Sequence, residues 1–215
     1  MSFHVVLLFC RLHFKEETDM RNYLTDSEVR LLLQAACKTG HSERNRCLIY
    51  MCYIHGFRVS EICRLRLSDI DINACNMFIS RLKNGFSTIH PMLSDEVSMF
   101  DNWMDVRRTY TDVNGKCEDY VFLTSKGRPL SRHTVYKMLK KAGEDAGLSV
   151  RVHPHMLRHA CGYALADRRI DTRLIQDYLG HTNIAHTVRY TASNPLRFMG
   201  IWHEPADCWA AKSTK

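Results

Sequence analysis

The sequence predicts a mainly α-helical domain with one small antiparallel β-sheet. Three observations predict it. Apolar residues recur at helical spacing behind N-terminal capping residues through the first third of the chain. The period changes between residues 76 and 91, around an Asn84-Gly85 turn, and helical spacing then returns almost to the end.

Thr25-Asp26-Ser27-Glu28 reads as a capping box, with a helix through Val29, Leu32, Leu33 and Ala36 stopping at Gly40. A second helix from about Glu43 carries Leu48, Ile49, Cys52 and Tyr53 and ends at His55-Gly56. A third is expected from Ser60 to about Asp69. Asn76 to Leu82 and Phe86 to Pro91 read as the two strands of a hairpin. Val97, Phe100, Trp103 and Met104 share a face of a helix over Ser94 to Arg108. After a polar loop, Tyr120 to Leu123 reads as a short strand, and Lys126-Gly127-Arg128-Pro129 as a turn. Ser131 caps a helix ending at Gly147, and further helices begin near Pro154, Asp171 and Ile184.

The chain has 215 residues, 45% hydrophobic and 25% charged, which suits one globular domain or at most two small ones. Thirty Lys and Arg against 23 Asp and Glu give a net charge of +7. That excess favours a polyanionic partner such as nucleic acid. The nine cysteines are scattered and form no C-x-x-C pair, so neither a zinc ribbon nor a thioredoxin-like motif is written here. Free thiols point to a reducing compartment, the cytoplasm. Phe3 to Cys10 is apolar but far shorter than the roughly 20 residues of a membrane span. No Lys or Arg precedes it, so no signal peptide is expected, and organised sequence beginning just after Met20 points to that residue as the natural start.

Chemistry concentrates in the last third. Between Arg151 and Gly200 the seven basic residues are all Arg, alongside three Asp, no Glu and five of the twelve histidines. Arg without Lys fits planar, bidentate recognition of phosphate oxygens, although a plain basic helical face has the same composition. His155 and Arg158 stand three apart after Pro154 and so share a helix face. His153, His155 and His159 invite a metal reading, but no Glu is near and no H-E-x-x-H occurs. Leu179-Gly180-His181 places a histidine just beyond a glycine-terminated helix, and Tyr190 follows nine residues on. Upstream, Arg58 stands at a helix start, where backbone N–H groups also favour anions, and Lys83 stands at the hairpin turn. A single tyrosine is more often a packed aromatic than a nucleophile; the order of the whole set is the informative feature.

GFRVSEICRLRLSDID (56–71), RLKNGFSTIHPM (81–92), HPHMLRHACGYALA (153–166) and IQDYLGHTNIAHTVRYT (175–191) resemble the motifs of the tyrosine recombinase, lambda-integrase-like family. The likeness runs from about Tyr23 to Trp202. IHGFRVSEICRLRLSDID and the run TASNPLRFMGIW after Tyr190 are most similar to bacterial fimbrial phase-variation recombinases, which invert a promoter element. The resemblance implies the integrase catalytic-domain fold over residues 20–203, an N-terminal extension at 1–19 and a tail at 204–215. It implies that Arg58 and Arg158 clamp the scissile phosphate, that His155 and His181 position it and assist proton transfer, that Lys83 is the general acid, and that Tyr190 is the nucleophile. Glu61 and Asp69 resemble supporting positions. No cofactor or metal is implied. The implied partners are double-stranded DNA with inverted-repeat sites, other copies of the chain in a tetramer on DNA, and accessory DNA-bending proteins, all at the nucleoid.

One departure stands out. Most members of the family carry a separate helical DNA-clamping domain of roughly a hundred residues, whereas Arg58 here has 57 residues ahead of it. The fimbrial recombinases are similarly short. Leu196, Phe198, Ile201 and Trp202 are expected either to dock on a neighbouring protomer or to pack at home. Two alternatives share the sequence features: a type IB-like topoisomerase, and a DNA-binding regulator without catalysis.

Overall fold

A computed structural model describes residues 21–81, 87–111 and 118–192. Residues 1–19, Lys83, the Asn84-Gly85 turn, and Leu196, Phe198, Ile201 and Trp202 therefore lie outside the described residues.

Helix α1 spans Asp26–Ala36 and starts where local chemistry places it. The Thr25 side chain accepts the Glu28 N–H at 3.3 Å, and Glu28 accepts the Thr25 N–H at 2.8 Å. Two otherwise unpaired donors are thereby satisfied. The helix ends before Gly40, at Ala36. Helix α2, Ser42–His55, is closed by Gly56 in the left-handed conformation, φ +59°. Glycine is needed there twice over, because a Cβ would also stand 2.4 Å from Leu179 Cδ2. α2 packs against α1 and against two later helices, α4 (Ser94–Arg107) and α6 (Pro154–Asp167).

The expected helix from Ser60 to Asp69 is broken. Helix α3 covers only Val59–Ile62, and a 3-10 turn follows at Leu67–Asp69. Between them the chain turns at Cys63-Arg64 and residues 65–67 pair with a distant segment: Val121 donates to the Leu65 carbonyl at 2.8 Å, and Leu67 donates to the Asp119 carbonyl at 2.9 Å. The strand expected at Tyr120 to Leu123 is correspondingly reduced to isolated bridges, Arg66 with Tyr120 and Leu123 with Pro129. The sheet has three antiparallel strands, β1 (Ile70–Asp71), β2 (Asn76–Ile79) and β3 (Thr88–Pro91), with Met77 opposite His90. The two-residue β1 is an addition to the predicted hairpin.

Helix α5, Arg132–Asp145, is capped by Ser131, whose Oγ accepts the Thr134 N–H at 3.1 Å. Pro154 opens α6 within its first turn, where its missing N–H costs nothing. Asp171 caps α7, Thr172–Leu179, and α8 spans Ala185–Ala192. The main core gathers Leu32, Leu48, Ile49, Trp103 and Phe122 around α2. A second, smaller cluster joins α6, α7 and α8 through Cys161, Ala166, Ile175, Leu179 and Tyr190. α7 and α8 are too short to be stable alone, so this cluster holds them in place. Among the described residues of α8, Thr187 and Tyr190 are the buried ones, and Tyr190 ties the helix to α6.

Candidate active site

The carbonyl end of α7 organises the site. Its last residues turn at Gly180, φ +64°, and their carbonyls face three guanidiniums. Arg81 donates to the Tyr178 carbonyl at 2.6 Å, Arg158 to the Leu179 carbonyl at 2.6 Å, and Arg58 to the Gly180 carbonyl at 3.4 Å. A helix C-terminus carries partial negative charge, so it steadies cations that would otherwise repel one another. Arg158 also donates to the Gly56 carbonyl, tying the end of α2 to the end of α7. It is buried, and burial together with the nearby Arg58 and Arg81 pushes its pKa down to about 9.

Glu61 joins two of these arginines. Its Oε1 accepts from Arg58 at 2.7 Å and its Oε2 from Arg81 at 2.9 Å, with the Arg58 backbone N–H also on Oε2 at 2.9 Å. Burial alone would raise the Glu61 pKa; Arg81, then the hydrogen bonds from Arg58, reverse this and hold it below the usual value. Asp69 accepts the Arg66 N–H at 2.9 Å and so caps the 3-10 turn, a scaffold contact.

His181 follows Gly180 directly. Its Nδ1 lies 2.9 Å from Thr187 Oγ1 on α8, which links the loop to the helix bearing Tyr190. His155 is exposed on the first turn of α6, with its ring 6.3 Å from that of His159. Tyr190 is only 1% exposed. Its ring lies over Gly162, where a Cβ would come within 2.6 Å of it, and its hydroxyl meets His159 Nδ1 at 2.9 Å. Burial pushes its pKa up to about 12, against the opposing pull of Arg158 and Arg189.

Arg58, His155, Arg158, His181 and Tyr190 thus fall in one contiguous patch, which Arg81 touches through Glu61 and the Tyr178 carbonyl; Lys83 lies outside the described residues. Two residues there escaped the sequence reading. Arg81 lies inside RLKNGFSTIHPM with no role marked for it, and the sequence offers His159 only as a possible metal ligand. His159 does follow Arg158 and stands four residues from His155, so a search for further polar groups on that helix face finds it. Among the described residues, no group of three or more His, Cys, Asp or Glu could hold a metal ion. No described helix is long and apolar enough to cross a membrane. From His155 an open groove runs past His153, Arg151, Lys140, Lys137 and Tyr136, a basic path leading to the patch.

Burial, more than neighbouring arginines, pushes His159 down to about 4 and His181 down to about 3, from an ordinary 6.5. Both are therefore neutral in the fold at neutral pH. Once the chain unfolds they bind protons below about 6.5, so the unfolded state gains relative to the fold as pH falls. The expected result is a melting temperature that is level above about 6.5 and declines steadily towards pH 4. Thermal melts at constant ionic strength check this, and the decline becomes shallower in His159→Gln and His181→Gln.

The fold is that of a tyrosine recombinase catalytic domain, a site-specific DNA-rearranging enzyme class. Residues 22–197 match the phage integrase family, and the chain belongs to that family. It is 56% identical over 188 residues to the type 1 fimbriae regulatory protein FimB of Escherichia coli strain K12, covering 87% of this chain and 92% of that protein. It is also similar to the crystal structure of XerA recombinase, with TM-score 0.71 and 27% identity over 81% of this chain and 61% of the other. A XerH site-specific recombinase bound to a palindromic difH substrate, in a post-cleavage complex, matches with TM-score 0.68 and 26% identity over 81% of this chain and 50% of the other. The chain therefore spans less than two thirds of either solved recombinase.

Proposed function

We propose that this chain cuts and rejoins double-stranded DNA through a covalent bond to Tyr190, and that it inverts a promoter element controlling fimbrial expression. The observation that carries the first part is the convergence of Arg58 and Arg158 on the end of α7, beside His181 and next to the helix bearing Tyr190. The likeness to a fimbriae regulatory protein supports the second.

In the proposed step the Tyr190 hydroxyl passes its proton to the imidazole of His155 and its oxygen attacks the scissile phosphorus. A new P–O bond to tyrosine forms as the bond to the 5′-oxygen breaks, and Lys83 protonates that leaving oxygen. The charge that builds on the non-bridging oxygens is met by the Arg58 and Arg158 guanidiniums, with hydrogen bonds from His155 and His181. Attack by a 5′-hydroxyl on the phosphotyrosine reverses the step and restores a phosphodiester. One phosphate ester replaces another each time, so no external energy source enters. Tyr190 must leave its buried seat on Gly162 to reach DNA, and α8, which carries it, moves with it. Four protomers on two inverted repeats, assisted by DNA-bending proteins, supply the assembled state in the cytoplasm.

The test is a plasmid carrying the chromosomal segment that flanks the gene, incubated with the purified chain. Inversion of the fragment between paired inverted repeats, read by restriction mapping, is the expected result. Relaxation of the circle without inversion contradicts it and favours a topoisomerase.

A further inference from the structure

Arg81 has no part in the step just described, yet it is one of the most enclosed charges in the molecule, its side chain 0% exposed. It precedes the Lys83 turn by two residues and leaves the end of β2 towards α7. Its Nη1 takes Glu61 Oε2, and its Nη2 takes both the His55 carbonyl at 3.2 Å and the Tyr178 carbonyl at 2.6 Å. Its aliphatic stem lies so close to Gly180 that a Cβ there would stand 2.8 Å from Arg81 Cγ.

We infer that Arg81 is a positioning residue that aims Arg58 at the scissile phosphate, acting through Glu61 and through the end of α7. This rests on the phosphate role proposed above for Arg58. The reasoning begins with Glu61. A carboxylate with one arginine neighbour is free to take it with both oxygens, in the bidentate geometry that such pairs favour. Here Arg81, together with the Arg58 backbone N–H, occupies Oε2, so only Oε1 remains for the Arg58 side chain. Arg58 is held at Nη1 by Glu61 and more loosely at Nη2, 3.4 Å from the Gly180 carbonyl, and is not wrapped by the carboxylate, which leaves its remaining N–H donors for phosphate oxygens. Charge points the same way. Three arginines and one glutamate sum to +2, from three positive charges less one negative, and without Arg81 the sum falls to +1. Arg81 also fixes Tyr178, next to the Leu179 and Gly180 carbonyls that orient Arg158 and Arg58. Because it is sealed from solvent, it acts through these neighbours and does not touch DNA.

The experiment uses the full chain and a nicked duplex that traps the covalent product, comparing wild type, Arg81→Met and Arg81→Lys. Each is run on an ordinary scissile phosphodiester and on one bearing a methyl group in place of a non-bridging oxygen. The methyl group removes the negative charge that Arg58 serves. On the phosphodiester, Arg81→Met is expected to form covalent product roughly tenfold to a hundredfold more slowly, the scale of a small misplacement at a reacting centre. On the neutral substrate the gap to wild type should close to about twofold, because a correctly aimed Arg58 then brings little. Arg81→Lys, keeping the charge but not the fork, should fall between them, and it carries the comparison if the methionine variant does not fold. Equal penalties on both substrates would make Arg81 purely structural and overturn the inference. So would a rate on the phosphodiester within twofold of wild type. If wild type itself forms no covalent product, the recombinase chemistry fails first and the inference falls with it.

Discussion

Replacing Arg158 with lysine is expected to slow covalent attachment to DNA by about two to three orders of magnitude, the scale seen when a preorganised donor to a developing negative charge is lost. The reason lies in shape and in proton affinity. The guanidinium places one terminal nitrogen on the Gly56 carbonyl and the other on the Leu179 carbonyl, and an ammonium cannot span both. Burial and two neighbouring arginines already bring Arg158 down to about 9. A lysine starts roughly two units lower and meets the same surroundings, so it stands close to losing its proton at neutral pH. The phosphate would then face one fixed cation where there were two. One buried carbonyl also loses its donor, which costs about 1–3 kcal/mol, so a lowered melting temperature should accompany the lost rate. Single-turnover trapping on a nicked duplex measures the first effect and thermal melting the second. A rate within fivefold of wild type, in a folded variant, would mean that Arg158 is a structural strut only.

The parts of this molecule that sequence reveals are those decided locally. Thr25 and Ser131 cap helices because their oxygens reach N–H groups three residues away, and those contacts are present. Gly56 and Gly180 end helices because each adopts a left-handed turn that other residues resist. The errors are all non-local. Residues 65–67 read as helix, yet they pair with residues 119–121, and no window around Ser60 contains that information. β1 is two residues long, too short for any period to register.

The same division runs through the site. The spacing of Arg58, His155, Arg158, His181 and Tyr190 is carried by the chain itself, and the family resemblance reads it directly. Arg81 stands in the sequence as one basic residue inside the motif RLKNGFSTIHPM, with no role marked for it. Only the fold shows it buried between the Glu61 carboxylate and the end of α7. His159 is hidden in a different way. Its bond to the Tyr190 hydroxyl crosses from α6 to α8, 31 residues apart, and the sequence shows only a histidine beside an arginine.

The largest effect expected of any substitution is at Tyr190. Tyr190→Phe keeps the ring that lies on Gly162 and loses only the hydroxyl bonded to His159, a stability loss of about 1 kcal/mol. The variant should therefore fold and bind DNA, yet form no covalent product, since phenylalanine offers no oxygen to the phosphorus. Tyr163 is the natural control, with its ring centre 5.1 Å from that of Tyr190, and Tyr163→Phe should retain attachment. The deciding measurement is the gel-shifted protein–DNA adduct that resists denaturation, formed on a nicked duplex carrying the target repeat. An adduct in wild type that disappears in Tyr190→Phe is the predicted result. An adduct that persists in Tyr190→Phe, or none from wild type on a duplex that it binds, would contradict Tyr190 as the nucleophile of this site.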